Sequence, residues 1–301
     1  MTGEGTTRAG FVALIGAPNA GKSTLINRLV GAKVAIVSHR VQTARSTIRG
    51  IVMAGRTQIV FVDTPGIFRP RRRLDRAMVD TAWGGARDAD FVALLLDAAI
   101  GISDEANELI KRLSEIRRPK ILLLNKIDLV RRETLLELAA KANAAFPFDR
   151  TFMISATTGD GLDDLVAYLA GALPEGPWLY PEDEISDVPL RSLSAEITRE
   201  KLFERLHQEL PYQATVETEQ WKEQKDGSVR IEQTIFVERD SQKKIVIGKG
   251  GATIKAISMA ARKEIAEIAE KPVHLFLFVK VRQNWGDDPE RYKAMGIEFP
   301  K

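Results

Sequence analysis

The chain has 301 residues, 44% apolar and 28% charged, with a formal net charge of +3 and no cysteine. The length suits about two domains, each with its own core, and the mild average basicity is too weak to argue for nucleic acid without a local concentration of charge. The absence of cysteine excludes a disulfide framework, a thiolate zinc site and a cysteine nucleophile, and it suits a reducing cytosol. Met1 to Gly10 lacks the apolar core of a secretion signal, and the longest apolar run, Phe91 to Leu96, ends at Asp97. Because a spanning helix needs roughly 20 apolar residues, no membrane span is expected and a cytoplasmic location is.

From Phe11 to Leu173, apolar runs alternate with helix-length amphipathic stretches, the pattern of a mainly parallel sheet covered by helices. The predicted strands are Phe11 to Ile15, Ser46 to Met53, Gln58 to Val62, Phe91 to Asp97, Lys120 to Asn125 and Thr151 to Ile154. Ala54-Gly55-Arg56 joins the second and third as a hairpin, so one strand is antiparallel and the sheet mixed.

In such sheets ligands gather beyond the carboxyl ends of the strands, and the residues there form a pattern. After the first strand comes Gly16-Ala17-Pro18-Asn19-Ala20-Gly21-Lys22-Ser23, followed by the helix-like Thr24 to Val30. A glycine-rich strand-to-helix loop of this form cradles phosphates with its backbone N–H groups; Lys22 reaches the β and γ phosphates and the Ser23 hydroxyl ligates Mg²⁺. After the third strand comes Asp63-Thr64-Pro65-Gly66, where Asp63 would hold Mg²⁺, directly or through water, and the Gly66 N–H would meet a γ-phosphate. After the fifth comes Asn125-Lys126-Ile127-Asp128, whose Asp128 carboxylate can accept two hydrogen bonds from the guanine N1–H and exocyclic amine, a pair adenine does not supply. After the sixth comes Ser155-Ala156-Thr157, with amides for the guanine O6. Each short motif alone is an ordinary turn or cap. Their occurrence in this order, each at a strand end, predicts a guanine-specific P-loop NTPase using GTP or GDP with Mg²⁺.

Pro174 to Pro189 carries five prolines or glycines among acidic residues and reads as a linker whose Trp178, Leu179 and Tyr180 pack on a domain. The expected organisation is a nucleotide domain over 1–175, a linker over 176–190 and a second domain over 191–301. The second domain reads helix (Ser194 to Leu210), strand (Ala214 to Trp221), strand (Val229 to Val237), helix (Gln242 to Ile247), helix (Ala252 to Glu270), strand (Val273 to Val281). Between its last two helices lies Ile247-Gly248-Lys249-Gly250-Gly251, a G-x-x-G loop that lets a nucleic-acid strand approach the backbone. From Arg239 to Lys263 there are seven basic residues against one acidic, whereas Arg191 to Lys301 has 20 against 18. The excess, including Lys243, Lys244, Lys249 and Lys255, is concentrated at the loop and predicts salt-dependent attraction for phosphates. Ile247, Ile254 and Ile257 are expected as core or groove floor. Thr198-Arg199-Glu200-Lys201 reads, on physical grounds, as an exposed helix face, and the tail from Trp285 is uninformative apart from Trp285 and Tyr292, which can pack on the domain.

Gly16 to Ser23, Asp63 to Gly66, Asn125 to Asp128 and Ser155 to Thr157 resemble the G1, G3, G4 and G5 boxes of translation-factor-like GTPases. The α-β-β-α-α-β order with its G-x-x-G loop resembles the type II KH fold, and Gln42-Thr43-Ala44-Arg45 resembles the G2 switch loop of the Era family. Together these cover nearly the whole chain and resemble that family closely. The resemblance implies an α/β fold: a Ras-like P-loop GTPase domain with a mixed, mainly parallel sheet, followed by an α+β type II KH domain. It implies Thr43 as a catalytic residue alongside Lys22 and Gly66 and as a Mg²⁺ ligand alongside Ser23 and Asp63; the family's second threonine is Ala44 here, so Thr43 or water fills that place. Ile67 stands where Ras-like enzymes carry a water-orienting glutamine, which implies slow hydrolysis assisted by a partner, RNA or a K⁺ ion held partly by Asn19. Arg69-Pro70-Arg71-Arg72-Arg73 reads as a solvated cluster or as a nucleotide-dependent phosphate patch. The implied role is assembly of the small (30S) ribosomal subunit through 16S ribosomal RNA, with peripheral membrane association and no DNA partner. A nucleotide-gated scaffold with negligible hydrolysis, acting at a membrane surface or on a protein, is the alternative; an RNA-modifying GTPase lacks a second set of catalytic residues, His39, His207 and His274 being scattered.

Overall fold

In the computed structural model the described residues are 6–38, 47–67, 70, 73–206, 210–283, 288–289, 292, 297 and 299. They form two compact units, one of residues 1–35, 41–187 and 295–301, the other of residues 36–40 and 188–294.

The first unit is built on six strands, β1 (Arg8–Gly16), β2 (Ile48–Ala54), β3 (Thr57–Asp63), β4 (Phe91–Asp97), β5 (Lys120–Asn125) and β6 (Arg150–Met153), in the order β2-β3-β1-β4-β5-β6. Only the β2–β3 pair is antiparallel. The central strands are buried on both faces, which is why Val92 to Leu96 and Ile121 to Leu124 read as unbroken apolar runs instead of alternating. The helices are α1 (Lys22–Val30), α2 (Arg73–Asp88), α3 (Asp104–Leu113), α4 (Arg132–Ala145) and α5 (Leu162–Ala172). α2 and α3 pack Val79, Trp83, Leu109 and Leu113 onto the β4 side of the sheet within one core cluster. The Ser103 side chain caps α3 by accepting the Ala106 N–H at 3.2 Å.

β1 starts three residues before the apolar run Phe11 to Ile15. Arg8 to Gly10 pair with Thr57 to Ile59, and the Arg8 guanidinium ion-pairs with Glu175 at 2.9 Å. Arg8 thus joins the strand through partners that a hydropathy pattern does not register.

The proline-rich segment lies along the β2–β3 side of this unit. Gly50 forms an antiparallel bridge with Ser186, the Ile51 N–H donates to the Ile185 carbonyl at 2.9 Å, and Arg49 pairs with Asp187 at 2.6 Å. The buried Gln58 side chain donates to the Tyr180 carbonyl at 2.8 Å and accepts the N–H groups of Leu179 and Tyr180 at 2.8 and 2.9 Å. The four prolines of this segment cannot supply a ladder, so one side-chain amide does.

The second unit contains α6 (Leu190–Arg205), β7 (Ala214–Glu223), β8 (Val229–Val237), α7 (Asp240–Ile247), α8 (Ala252–Ala269) and β9 (Val273–Val281). β7 runs antiparallel and β9 parallel to β8. Pro189 stands at the α6 N-cap, where its fixed φ suits a helix start; the helix therefore begins upstream of Ser194. Thr198 to Lys201 overturns the expectation of an exposed face. Thr198, Arg199 and Glu200 are buried because α6 is packed between β7 and α8. The Thr198 hydroxyl donates to Gln233 at 2.6 Å, Arg199 pairs with Glu196, and Lys201 pairs with Glu264 at 2.7 Å. In the same unit the Val37 N–H donates to Glu200 at 2.8 Å. Tyr292 is buried, as expected of it; Trp285, His39 and His207 lie outside the described residues.

Gln58→Ala would leave the Leu179 and Tyr180 N–H groups without an acceptor, at a cost of about 2 kcal/mol to the docked linker. Limited proteolysis of residues 176–187 should accelerate roughly thirtyfold in this variant, and an unchanged rate would show that Gln58 does not hold the segment.

Candidate functional site

β1 ends at Gly16 and α1 begins at Lys22, so residues 17–21 turn directly from strand to helix. Gly21 has φ 103°, and a Cβ there would lie 2.2 Å from the Asn125 amide nitrogen, so only glycine serves on both counts. Ala17 and Pro18 are half-buried, Asn19 is exposed with φ 64°, Ala20 is buried, and Thr24 lies in the first turn of α1. The loop places the α1 N-terminus where its N–H groups and dipole favour an anion.

The Lys22 ammonium is buried and donates to the carbonyls of Gly16 at 3.0 Å and Ala17 at 3.1 Å. Burial lowers its pKa to about 8, with Asp63 pulling the other way. The Ser23 hydroxyl donates to one carboxylate oxygen of Asp63 at 2.7 Å, and the other oxygen is buried without a hydrogen-bond partner. Burial raises the Asp63 pKa, opposed by Lys22 and Ser23. A buried carboxylate with an unpaired oxygen beside a hydroxyl fits a hard divalent cation. Ser23 and Asp63 would hold Mg²⁺, which when bound neutralises phosphate charge.

Thr64 and Pro65 are buried; the Thr64 hydroxyl donates to the Leu14 carbonyl at 2.7 Å and the Ile67 N–H to the Gly16 carbonyl at 3.2 Å. These bonds lay the loop against β1 and bring Gly66 beside Pro18. Ile67 is apolar and buried, so it offers no hydrogen bond to orient water. Gln42 to Arg45, with Thr43, and Arg69, Arg71 and Arg72 lie outside the described residues.

At the base end, Asn125 is almost fully buried and does a job that its place in a four-residue motif conceals. Its amide nitrogen donates to the Ala20 carbonyl at 2.8 Å, and its amide oxygen accepts the Ala156 N–H at 3.0 Å. Lys126, at φ 67°, ion-pairs with Asp97 at 2.6 Å, and Asp128 stands exposed on the short turn Ile127–Leu129. Ser155 is buried, its hydroxyl accepting the Thr158 N–H at 3.1 Å, while Thr157 is exposed. Arg28 donates to the Thr158 carbonyl at 2.7 Å. Sequence reasoning missed Asp97, Arg28 and the Thr64 anchor. Asp97 was within reach, since it is the residue where the fourth apolar run stops; Arg28 and Thr64 act across long separations that no local pattern marks.

In the second unit, α7 ends at Gly248 and α8 begins after Gly251. At Gly248 φ is 75°, and a Cβ would meet the Thr253 hydroxyl at 2.2 Å, whereas Gly250 and Gly251 face open space. Lys244, Lys249 and Lys255 are exposed and Lys243 is half-buried. Ile257 is fully buried, Ile247 and Ile254 are half-buried, in keeping with a core and a groove floor. The result is an open glycine backbone edged by ammonium groups.

Two families match the chain: one described as 50S ribosome-binding GTPase over residues 11–126, the other as KH domain over residues 209–286. GTPase Era of Rhizobium meliloti (strain 1021) is 70% identical over 98% of this chain and 94% of its own length. GTPase Era of Agrobacterium fabrum is 67% identical over 100% and 96%. A crystal structure of an Aquifex aeolicus Era variant bound to GDP and AlF4⁻ superposes with a TM-score of 0.91 at 36% identity, covering 96% of this chain and 99% of that one. An Era structure in complex with MgGDPNP and nucleotides 1506–1542 of 16S ribosomal RNA gives the same score, identity and coverage.

Lys22 supplies a pH test. Its pKa in the folded protein lies below the ordinary 10.5, so the unfolded chain binds more protons between about 8 and 10.5 and stability rises with pH across that window; below about 8 the burial penalty is fully present. Polyphosphate beside Lys22 should restore the ammonium. GDP binding with Mg²⁺ chelated, measured calorimetrically in buffers of different ionisation enthalpy, should therefore take up about a tenth of a proton at pH 7 and about half at pH 8. Uptake that does not rise with pH would contradict the depressed pKa. Asn125→Ala should weaken GDP roughly tenfold to hundredfold by unlinking two loops, and unchanged affinity would remove Asn125 from the site. The boxes at the strand ends, the KH match and the near-full-length identity agree: the chain belongs to the Era family of GTPases.

Proposed function

We propose that this GTPase is a switch that binds 16S ribosomal RNA through its KH domain and assists assembly of the 30S subunit in the cytoplasm. The observation that carries the reading is the Gly248–Gly251 loop, with an open glycine backbone and exposed Lys244, Lys249 and Lys255 around it, on the same chain as a guanine-nucleotide site. The relative bound to nucleotides 1506–1542 of 16S ribosomal RNA supports the choice of RNA. The domain division at 1–175, 176–190 and 191–301 belongs to the same proposal, with residues 176–187 packed on the nucleotide unit.

In this reading Gly16 to Thr24 hold the phosphates, Asn125, Lys126, Asp128 and Ser155 to Thr157 hold guanine, and Ser23, Thr43 and Asp63 complete the Mg²⁺ shell. Lys22, Thr43 and the Gly66 N–H stabilise the transferring phosphoryl group. With Ile67 after Gly66, turnover is slow until RNA, a partner or K⁺ near Asn19 assists; the positive φ of Asn19 and its exposure suit that contact. The segment ahead of Thr43 has a hydrogen bond from Val37 to Glu200 of α6, a physical route by which ordering of Thr43 reaches the KH unit. Peripheral association with the inner membrane surface belongs to the same proposal as a secondary location; among the described residues no helix is long and apolar enough to cross a membrane.

Three experiments test this. Gly251→Asp adds a carboxylate and backbone strain at φ 78° and should abolish binding of an RNA matching the 3′ end of 16S ribosomal RNA while sparing GDP affinity; intact RNA binding would refute the role of the loop. The double variant Lys249→Ala, Lys255→Ala should lower the slope of log affinity against log salt by about 0.7 per lysine. For the base, Asp128→Asn should shift preference from guanine to xanthine, and retained guanine selectivity would refute the assignment of Asp128.

A further inference from the structure

A cavity of about 340 Å³ opens between α2 and α3, outside the nucleotide groups described above. That is within the size range of small-molecule sites. Its floor is apolar, made by Ile67, Val79, Trp83 and Leu109, all buried in the main core cluster. Its rim carries three carboxylates, Asp80, Glu105 and Glu108, against two guanidiniums, Arg76 and Arg112. Trp83 is the unusual member. It is 2% exposed, its indole N–H has no hydrogen-bond partner, and the Arg112 guanidinium lies over its ring, 4.7 Å from the centroid. Buried indole N–H groups ordinarily meet an acceptor. A wall residue with an unmet donor, next to open volume, calls for a ligand that brings the acceptor.

We propose that the α2–α3 cavity is a binding site for a small neutral or cationic molecule with a flat apolar body and one hydrogen-bond acceptor. The body rests on Ile67, Val79 and Leu109. The acceptor takes the Trp83 N–H once Arg112 swings off the ring, a movement of one half-buried, flexible side chain. Anions are disfavoured by the excess of carboxylates. The floor also links the cavity to the nucleotide: Ile67 directly follows Gly66 and donates its N–H to the Gly16 carbonyl at 3.2 Å. A ligand seated on Ile67 favours that arrangement of the loop, so its affinity must depend on whether a γ-phosphate competes for the same loop, and the dependence must be reciprocal.

The probe is quinoline, which is flat, neutral at pH 7.5 and has one acceptor; naphthalene has the same shape without it. The full-length protein with GDP, ¹⁵N-labelled at the tryptophan indoles, is titrated and the Trp83 N–H resonance identified by its loss in Trp83→Phe. Quinoline should shift that resonance downfield saturably and bind about tenfold more tightly than naphthalene, a difference equal to one hydrogen bond of about 1.4 kcal/mol. Quinoline-6-carboxylate should bind more weakly. Leu109→Phe, which fills the cavity, should abolish binding while keeping GDP affinity; should that variant misfold, Trp83→Phe still decides, since quinoline should then bind no better than naphthalene. With a non-hydrolysable GTP analogue and Mg²⁺ in place of GDP, quinoline should bind at least about fivefold more weakly. No saturable shift, equal binding of the two probes to the native protein, or undiminished binding to folded Leu109→Phe would overturn the site. Equal quinoline affinity in the two nucleotide states would overturn its link to the switch.

Discussion

A single buried carboxamide holds the two ends of the nucleotide site in register. The glycine-rich loop leaves β1 and the loops proposed to hold guanine leave β5 and β6, and nothing in the ladder fixes the distance between loops at a sheet edge. Asn125 does so, its amide nitrogen bound to the Ala20 carbonyl and its amide oxygen to the Ala156 N–H. Both ends are satisfied in a dry setting, where a half-satisfied amide would cost about 1–3 kcal/mol, so the three loops move together or not at all. The constraint reaches back to composition, for Gly21 must lack a side chain to leave that nitrogen room.

The phosphate end is built on the opposite principle. Lys22 and Asp63 are buried charges with incomplete partners: Lys22 leans on two backbone carbonyls, and Asp63 keeps one oxygen unpaired. Burial pushes the Lys22 pKa down to about 8 and the Asp63 pKa up, each toward neutrality, as expected for groups whose natural partners are a polyphosphate and a cation. The base end is thus held rigid by satisfied bonds, while the phosphate end is kept under electrostatic tension that the ligand relieves. A site divided in this way is suited to hold a nucleotide by one end and to respond to changes at the other, as the proposed switch requires.

The motifs at the strand ends were legible because local chemistry dictates them: a glycine-rich turn, an aspartate after an apolar run and a carboxylate spaced for guanine are short-range patterns. The six strands followed from hydropathy, apart from the start of β1, where Arg8 and Gly10 join through pairing and an ion pair with Glu175. What stayed hidden depends on residues far apart in sequence. Gln58 reads as an ordinary strand residue, yet it anchors a segment more than 120 positions away. Thr198 to Lys201 reads as a polar, exposed helix face, but buried Gln233 and half-buried Glu264 give its side chains partners. Polarity predicts exposure only where no complementary group awaits inside.

The chain carries both this divided site and a glycine loop edged by lysines, and Val37, ahead of Thr43 in sequence, donates its N–H to Glu200 of the helix that opens the KH unit. In the proposed switch, occupancy at the phosphate end sets the strength of RNA binding at Gly248 to Gly251. The most direct measurement is the affinity of the full-length protein for an RNA matching the 3′ end of 16S ribosomal RNA, at fixed salt, with a non-hydrolysable GTP analogue and Mg²⁺ and again with GDP. Binding at least about fivefold tighter is expected in the triphosphate state, the lower range of measured coupling between sites. Equal affinity in the two states would contradict it.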